Sequence, residues 1–143
     1  MTDGHNTFVQ HSVSAALTRR LIEAGAARGA DLGKAFTIAI VDAGGVLKAL
    51  ERMDGAPLIS VQIAQDKAYT AVGFGIPTAA WHDFIKDDPP LAAGATTGID
   101  RLVIFGGGFP ITVDGELVGG IGVSGGHYSE DSEVAEAALR ALA

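Results

Sequence analysis

The chain contains no cysteine, which excludes a disulfide framework, a thiolate nucleophile and any Cys-ligated metal site. It is also poor in cations. Ten Lys and Arg against 17 Asp and Glu leave a formal net charge of −7. Nucleic acid and anionic bilayers both require a cationic surface, so neither is expected as a partner. No apolar run reaches the ~18 residues of a membrane-spanning helix. Met1–Asn6 lacks the basic-then-apolar pattern of a secretory signal, and the default expectation is a cytoplasmic protein. Three common catalytic signatures are missing as well: Gly-x-Ser-x-Gly, His-Glu-x-x-His, and a Gly-Lys-Ser/Thr ending to a glycine loop. No linker, repeat or low-complexity segment interrupts the sequence, so residues 1–143 read as a single domain.

What the chain does have is glycine and small apolar residues. It holds 20 glycines, and 48% of it is hydrophobic. A mean hydropathy of +0.29 is high for a small protein. Monomers rarely expose large apolar patches, so some of this surface is expected between subunits of a homo-oligomer. The glycines concentrate in two blocks, Val41–Pro57 and Phe105–Gly126, each of which reads as a β-hairpin. Glycine in a strand costs stability. Its repetition there implies that bare backbone is needed, either for close packing or to offer N–H groups to a ligand.

Periodicity supplies the remaining elements. Val13, Ala16, Leu17, Leu21, Ala24 and Ala27 mark a helix over 8–28. Strands are expected over 36–41 and 46–52, and a helix from Leu58 to Gly73 after Pro57. A short helix follows over 77–86, ended by Asp87-Asp88-Pro89-Pro90. Strands are then expected over 101–105, 109–113 and 116–124, with Asp114-Gly115 as the hairpin turn. Ser129 reads as the N-cap of a last helix. The class is therefore α/β in the α+β sense: a mainly antiparallel five-stranded sheet packed with helices.

The motifs VDAGG (Val41–Gly45), ERMDGAP (Glu51–Pro57), DKAYTA (Asp66–Ala71), FGGGFPI (Phe105–Ile111) and DGELVGGIGVSGG (Asp114–Gly126), followed by Glu130, Asp131, Val134 and Ala135, occur in one order. In this the chain resembles the GlcG/HbpS-like family, also called the haem-degrading domain family, over roughly residues 8 to 142. The resemblance implies a profilin-like fold and homo-oligomers from dimers to octamers. It also implies haem as a cofactor or ligand in some members, which act as redox-linked accessory or sensor proteins. One relative forms the C-terminal part of a cobalamin adenosyltransferase. Others are encoded beside glycolate oxidation or other catabolic genes. Fold alone does not select among these.

Several residues are candidates for chemistry. Gly106, Gly107 and Gly108 form either an anion nest or a hairpin connection. Ser124, Gly125 and Gly126 lead into a helix start, where free N–H groups favour anions. His127 follows them, as either a general acid/base or an exposed loop residue. Lys67, mid-helix, either meets a ligand carboxylate or snorkels at the surface. Arg52 either clamps a carboxylate or pairs with Glu51 or Asp54. His11 and His82 are the candidate metal ligands, since haem iron is held by His, Met, Cys or Tyr; Met53, Tyr69 and Tyr128 stand behind them. His5 is the remaining histidine. The leading function is a small oligomeric binding protein for haem or a similar planar or carboxylated molecule. The alternative is a catabolic isomerase, hydrolase or lyase acting on a small carboxylated metabolite, with His127 or Asp42 as base and the glycine nest stabilising an oxyanion. A third reading is an accessory partner whose oligomer interface is its function. Whether the chain is an enzyme stays open at this point.

Overall fold

The computed structural model describes residues 6–142, so His5 lies outside the described residues. Five α-helices and four strands follow in the order α1 (Ala15–Asp31), β1 (Thr37–Asp42), β2 (Leu47–Arg52), α2 (Leu58–Phe74), α3 (Ala79–Ile85), α4 (Pro89–Gly98), β3 (Gly108–Val113), β4 (Glu116–Ser124) and α5 (Tyr128–Leu139), with a 3-10 turn over Arg140–Leu142. Two hairpins, β1–β2 and β3–β4, join through β1 and β4 into one antiparallel sheet of order β2-β1-β4-β3.

The sheet has four strands among the described residues, not the five expected. Residues 101–105 do not pair with a strand. Arg101 has φ 65°, outside the extended region. The Thr70 hydroxyl donates to the Arg101 carbonyl at 2.9 Å and accepts from Val103 N–H at 3.1 Å. Helix α2 thus takes the polar groups that a ladder would have used. The apolar side chains that suggested a strand, Leu102 and Ile104, pack instead against Trp81, Ile85 and Ala95 of α3 and α4.

Three helix boundaries also differ. The first helix begins at Ala15 because Ser14 adopts an extended conformation and its hydroxyl caps Leu17 N–H at 3.1 Å. The preceding segment tethers to the sheet through Val13 N–H and the Val118 carbonyl, 2.9 Å apart. Asp87-Asp88-Pro89-Pro90 follows the end of α3 at Ile85, as expected, and also starts α4, since Asp88 is the N-cap and proline fits the first turn. The cap of α5 is His127, not Ser129.

Helices cover both faces of the sheet. On one side Leu21 and Ile22 of α1 and Val134, Ala135 and Ala138 of α5 pack on Ile38, Ile40, Ile121 and Val123. On the other side α2 lies against Val41 through Ala68 and Val72. Alternation along β4 turns Ile121 and Val123 to the first side and Gly120 and Gly122 to α2. A Cβ at Gly122 would overlap the carbonyl oxygen of Ala64, and one at Gly120 would overlap that of Ala68. The glycine repeat therefore serves close packing: α2 rests on bare strand backbone, which sets the height of everything α2 carries.

Candidate functional site

One residue of α2 that faces the sheet is charged. Lys67 is fully buried, on the same stripe as Ala64, Ala68 and Ala71. Its Nζ donates to Asp131 Oδ2 at 2.9 Å and to the Val123 carbonyl at 3.0 Å. It also stands 5.1 Å from the centre of the Phe105 ring, within cation–π reach. The other oxygen of Asp131 accepts from Gly126 N–H at 3.0 Å. Burial pushes the Lys67 ammonium down and the Asp131 carboxyl up, and their mutual attraction opposes both shifts.

The three glycines after Phe105 fit around this pair. Gly107 has φ 123°, and a Cβ there would stand 2.6 Å from Lys67 Nζ. Gly108 N–H donates to Thr78 Oγ1 at 2.9 Å, and Thr78 N–H returns a bond to the Gly108 carbonyl at 3.0 Å. A Cβ on Gly106 would stand 2.6 Å from Ser132 Oγ. Gly106–Gly108 are all buried, a packed seam between α2, α3 and α5.

The outer wall of that seam forms a cleft of about 430 Å³. It is lined by Ala79, His82 and Asp83 of α3, by Ile104, Phe105 and Gly106, and by Tyr128 at the start of α5. Phe105 is 45% and Tyr128 51% exposed, and the Tyr128 ring lies 4.1 Å from that of His127. His82 is exposed at the same cleft. The cleft thus gathers His82, Gly106 and Tyr128, with Lys67 sealed behind Phe105.

The other candidates lie elsewhere. His11 is exposed and bonded through Nδ1 to Glu116 Oε1 at 2.7 Å. The Arg52 guanidinium donates twice to the Ala56 carbonyl, at 3.0 and 2.7 Å, so it clamps its own loop. Asp42 Oδ1 accepts from Gly44 and Val46 N–H and holds the β1–β2 turn. Ser124 pairs with Thr37, while Asp42 pairs with Gly119. Asp42 therefore sits at one end of β1 and Ser124, three residues before His127, lies beside the other, about 16 Å away along the strand at ~3.3 Å per residue.

The helix start after Gly125 and Gly126 does hold anions, and both are the protein's own. Gly126 N–H binds Asp131, and His127 N–H donates to Glu130 at 2.9 Å. His127 itself accepts from Ser129 N–H through Nδ1 and completes a capping box with Glu130. Lys34 also bonds both oxygens of Glu130, at 2.8 and 2.7 Å. The Lys34 bond, then the His127 amide, hold the Glu130 carboxyl below its usual 4.5. A depressed carboxyl contributes stability above its unfolded value and loses it as pH falls through the folded one. We predict that thermal stability of the protein drops as pH is taken below about 4.5, and that Glu130→Gln flattens this part of the profile. Equal acid slopes for the two proteins in calorimetry would exclude this role.

Asp131 and Phe105 are site residues that sequence reasoning missed. Asp131 reads as one more acidic residue in a first helical turn. The available signal was Lys67: a lysine on an alanine stripe demands a buried counter-charge. Among the described residues, no group of three or more His, Asp or Glu is placed to hold a bare metal ion. No helix among them is long and apolar enough to cross a membrane.

Fold and cleft together define a small α+β domain with a histidine-bearing, aromatic-walled cleft built against a buried ion pair. The chain belongs to the family described as haem degrading protein HbpS-like, whose model matches residues 13–140. The 15.0 kDa protein of the dhaT–dhaS intergenic region of Citrobacter freundii is 33% identical over 128 residues, 90% of either chain. Klebsiella pneumoniae protein ORFY shares the fold with a TM-score of 0.89 at 27% identity, covering 99% of this chain and 97% of that one. The structure of a PduOC–haem complex matches with a TM-score of 0.80 at 30% identity, covering 91% and 94% of the two chains.

Proposed function

We propose that this protein is a haem-binding accessory protein and that the cleft between α3, Phe105 and α5 takes the haem. The observation that carries the reading is the donor set: His82 and Tyr128, two residue types that ligate haem iron, line one cleft with Phe105 and Ile104 as apolar walls. The haem-bound relative of the same fold supports it. His82 would hold the iron, and Phe105, Tyr128 and Ile104 would contact the ring. Haem when bound supplies a redox-active iron. The chain's part is to orient it and limit water at one face. The buried Lys67–Asp131 pair fixes the Gly106–Gly107 backbone behind that wall and thereby the position of Phe105.

His82→Ala is expected to weaken haemin binding by about tenfold or more, ~1.4 kcal/mol, measured from the Soret band, with no change in thermal midpoint because His82 is exposed. Tyr128→Phe keeps the ring and removes the phenol. Unchanged affinity in that variant assigns Tyr128 to packing, and a loss equal to that of His82→Ala makes it a ligand. Full affinity in both variants would place haem elsewhere.

A further inference from the structure

A second cleft, of about 1140 Å³, is larger than the one at His82. It lies where the turn between β1 and β2 faces the outer side of α2, with Arg101 among its lining residues. Val46, Leu58 and Ile59 line it and are 64%, 77% and 66% exposed. Among the described residues, Arg101 and Asp66 are its charged lining.

Arg101 is held there at a cost. Its φ of 65° is one of two positive values for non-glycine residues among those described. Such a conformation persists only where the surroundings over-determine it. Here the Thr70 hydroxyl holds the chain just after Arg101, donating to its carbonyl and accepting from Val103 N–H. The guanidinium lies on the Tyr69 ring, 4.1 Å from its centre. Arg101 Nε donates to Asp66 Oδ1 at 2.9 Å, and Gln62 steadies the other Asp66 oxygen at 3.3 Å. Among the described residues, only Nε of this guanidinium has a hydrogen-bond partner. Nη1 and Nη2 remain as a fixed, oriented fork beside an apolar surface. An arginine fork matches a carboxylate or phosphate in two parallel bonds. Asp66 already offsets part of the positive charge, and no second cation among the described residues lines the cleft. That balance suits a monoanion rather than a phosphate dianion.

We propose that this cleft binds a small amphipathic carboxylate. The carboxylate sits on Nη1 and Nη2 of Arg101, and the apolar body lies along Val46, Leu58 and Ile59. The site is separate from the His82 cleft and does not depend on haem.

The test is calorimetric titration of the full chain with sodium octanoate, with 1-octanol and octylamine as neutral and cationic counterparts. Octanoate is expected to saturate at one per chain, with both counterparts about tenfold weaker or worse. Arg101→Gly keeps the left-handed turn, so the fold survives, checked by an unchanged circular dichroism spectrum. It is expected to lose octanoate affinity by about tenfold while leaving octanol binding and the haemin Soret titration unaltered. His82→Ala is expected to leave octanoate binding unaltered. Equal affinity for octanoate and octanol, or full octanoate affinity in Arg101→Gly, overturns the proposal. So does absence of saturable binding in a chain that self-associates and is dispersed by Ile59→Glu, which would make the cleft a contact between two copies.

Discussion

Gly122→Ala is expected to destabilise the protein by roughly 3 kcal/mol, at the upper end of the usual cost of overpacking a core. One methyl group produces this because nothing near it is free to yield. The new Cβ would overlap the Ala64 carbonyl oxygen and stand 2.5 Å from Ala68 N. Both are helix backbone rather than the end of a flexible side chain. Relief requires α2 to lift off β4, which opens the Ala64–Ala68 contact and drags Lys67 away from Asp131. The thermal midpoint should fall by about 10 °C, taking ~3–4 °C per kcal/mol for a chain of this size. Gly94→Ala in α4 supplies the contrast. A Cβ there meets nothing within 4 Å, so relief of backbone entropy should raise stability by about 0.5–1 kcal/mol. Denaturant unfolding of both variants decides the matter. Similar small effects would mean that the glycines of β4 are not the seat of α2.

Breaking the buried pair is the second large effect. Lys67→Met and Asp131→Ala should each cost about 3–5 kcal/mol, because either leaves an uncompensated charge in the interior. Asp131→Ala also strands Gly126 N–H, whose partner is Asp131 Oδ1. Asp131→Asn, in contrast, keeps an acceptor for that N–H. The double variant Lys67→Met with Asp131→Asn removes both charges and should lose much less than the summed losses of Lys67→Met and Asp131→Asn made singly, since a buried ion pair is weak net stabilisation against neutral groups of similar volume. A double-mutant cycle measures the coupling, expected at about 2–3 kcal/mol for residues in direct contact. Strict additivity would mean that Lys67 and Asp131 do not act as a pair. The single variants should also loosen the Phe105–Gly108 backbone that forms one wall of the haem cleft, lowering haemin affinity alongside stability.

Much of this architecture is legible in the amino-acid order. Both hairpins follow from glycine turns, above all Asp114-Gly115, and the α2 stripe from the spacing of Ala64, Ala68 and Ala71. The run over 101–105 misled because periodicity reports only that side chains are apolar. Leu102 and Ile104 pack on α3 and α4, and the Arg101 carbonyl and Val103 N–H are both taken by one threonine hydroxyl from α2, which no local pattern announces. Asp87-Asp88-Pro89-Pro90 is legible in half: it ends α3 as expected, and the same residues start α4 because an aspartate precedes the prolines. The site is less legible. Gly106–Gly108 look alike whether they cradle an anion or admit a lysine, and the lysine is 39 positions earlier than Gly106 in the chain. Family resemblance supplied haem, yet His82 and Tyr128 meet only because α3 and α5 flank the same seam.

The most direct test of the central proposal is an absorption titration with haemin of the wild-type chain, His82→Ala and His11→Ala in parallel. The expected result is a Soret shift saturating at one haem per chain in the wild type and in His11→Ala, and lost or weakened by about tenfold or more in His82→Ala. A non-saturating response in the wild type, or an unaltered titration in His82→Ala, would contradict the assignment of this cleft to haem.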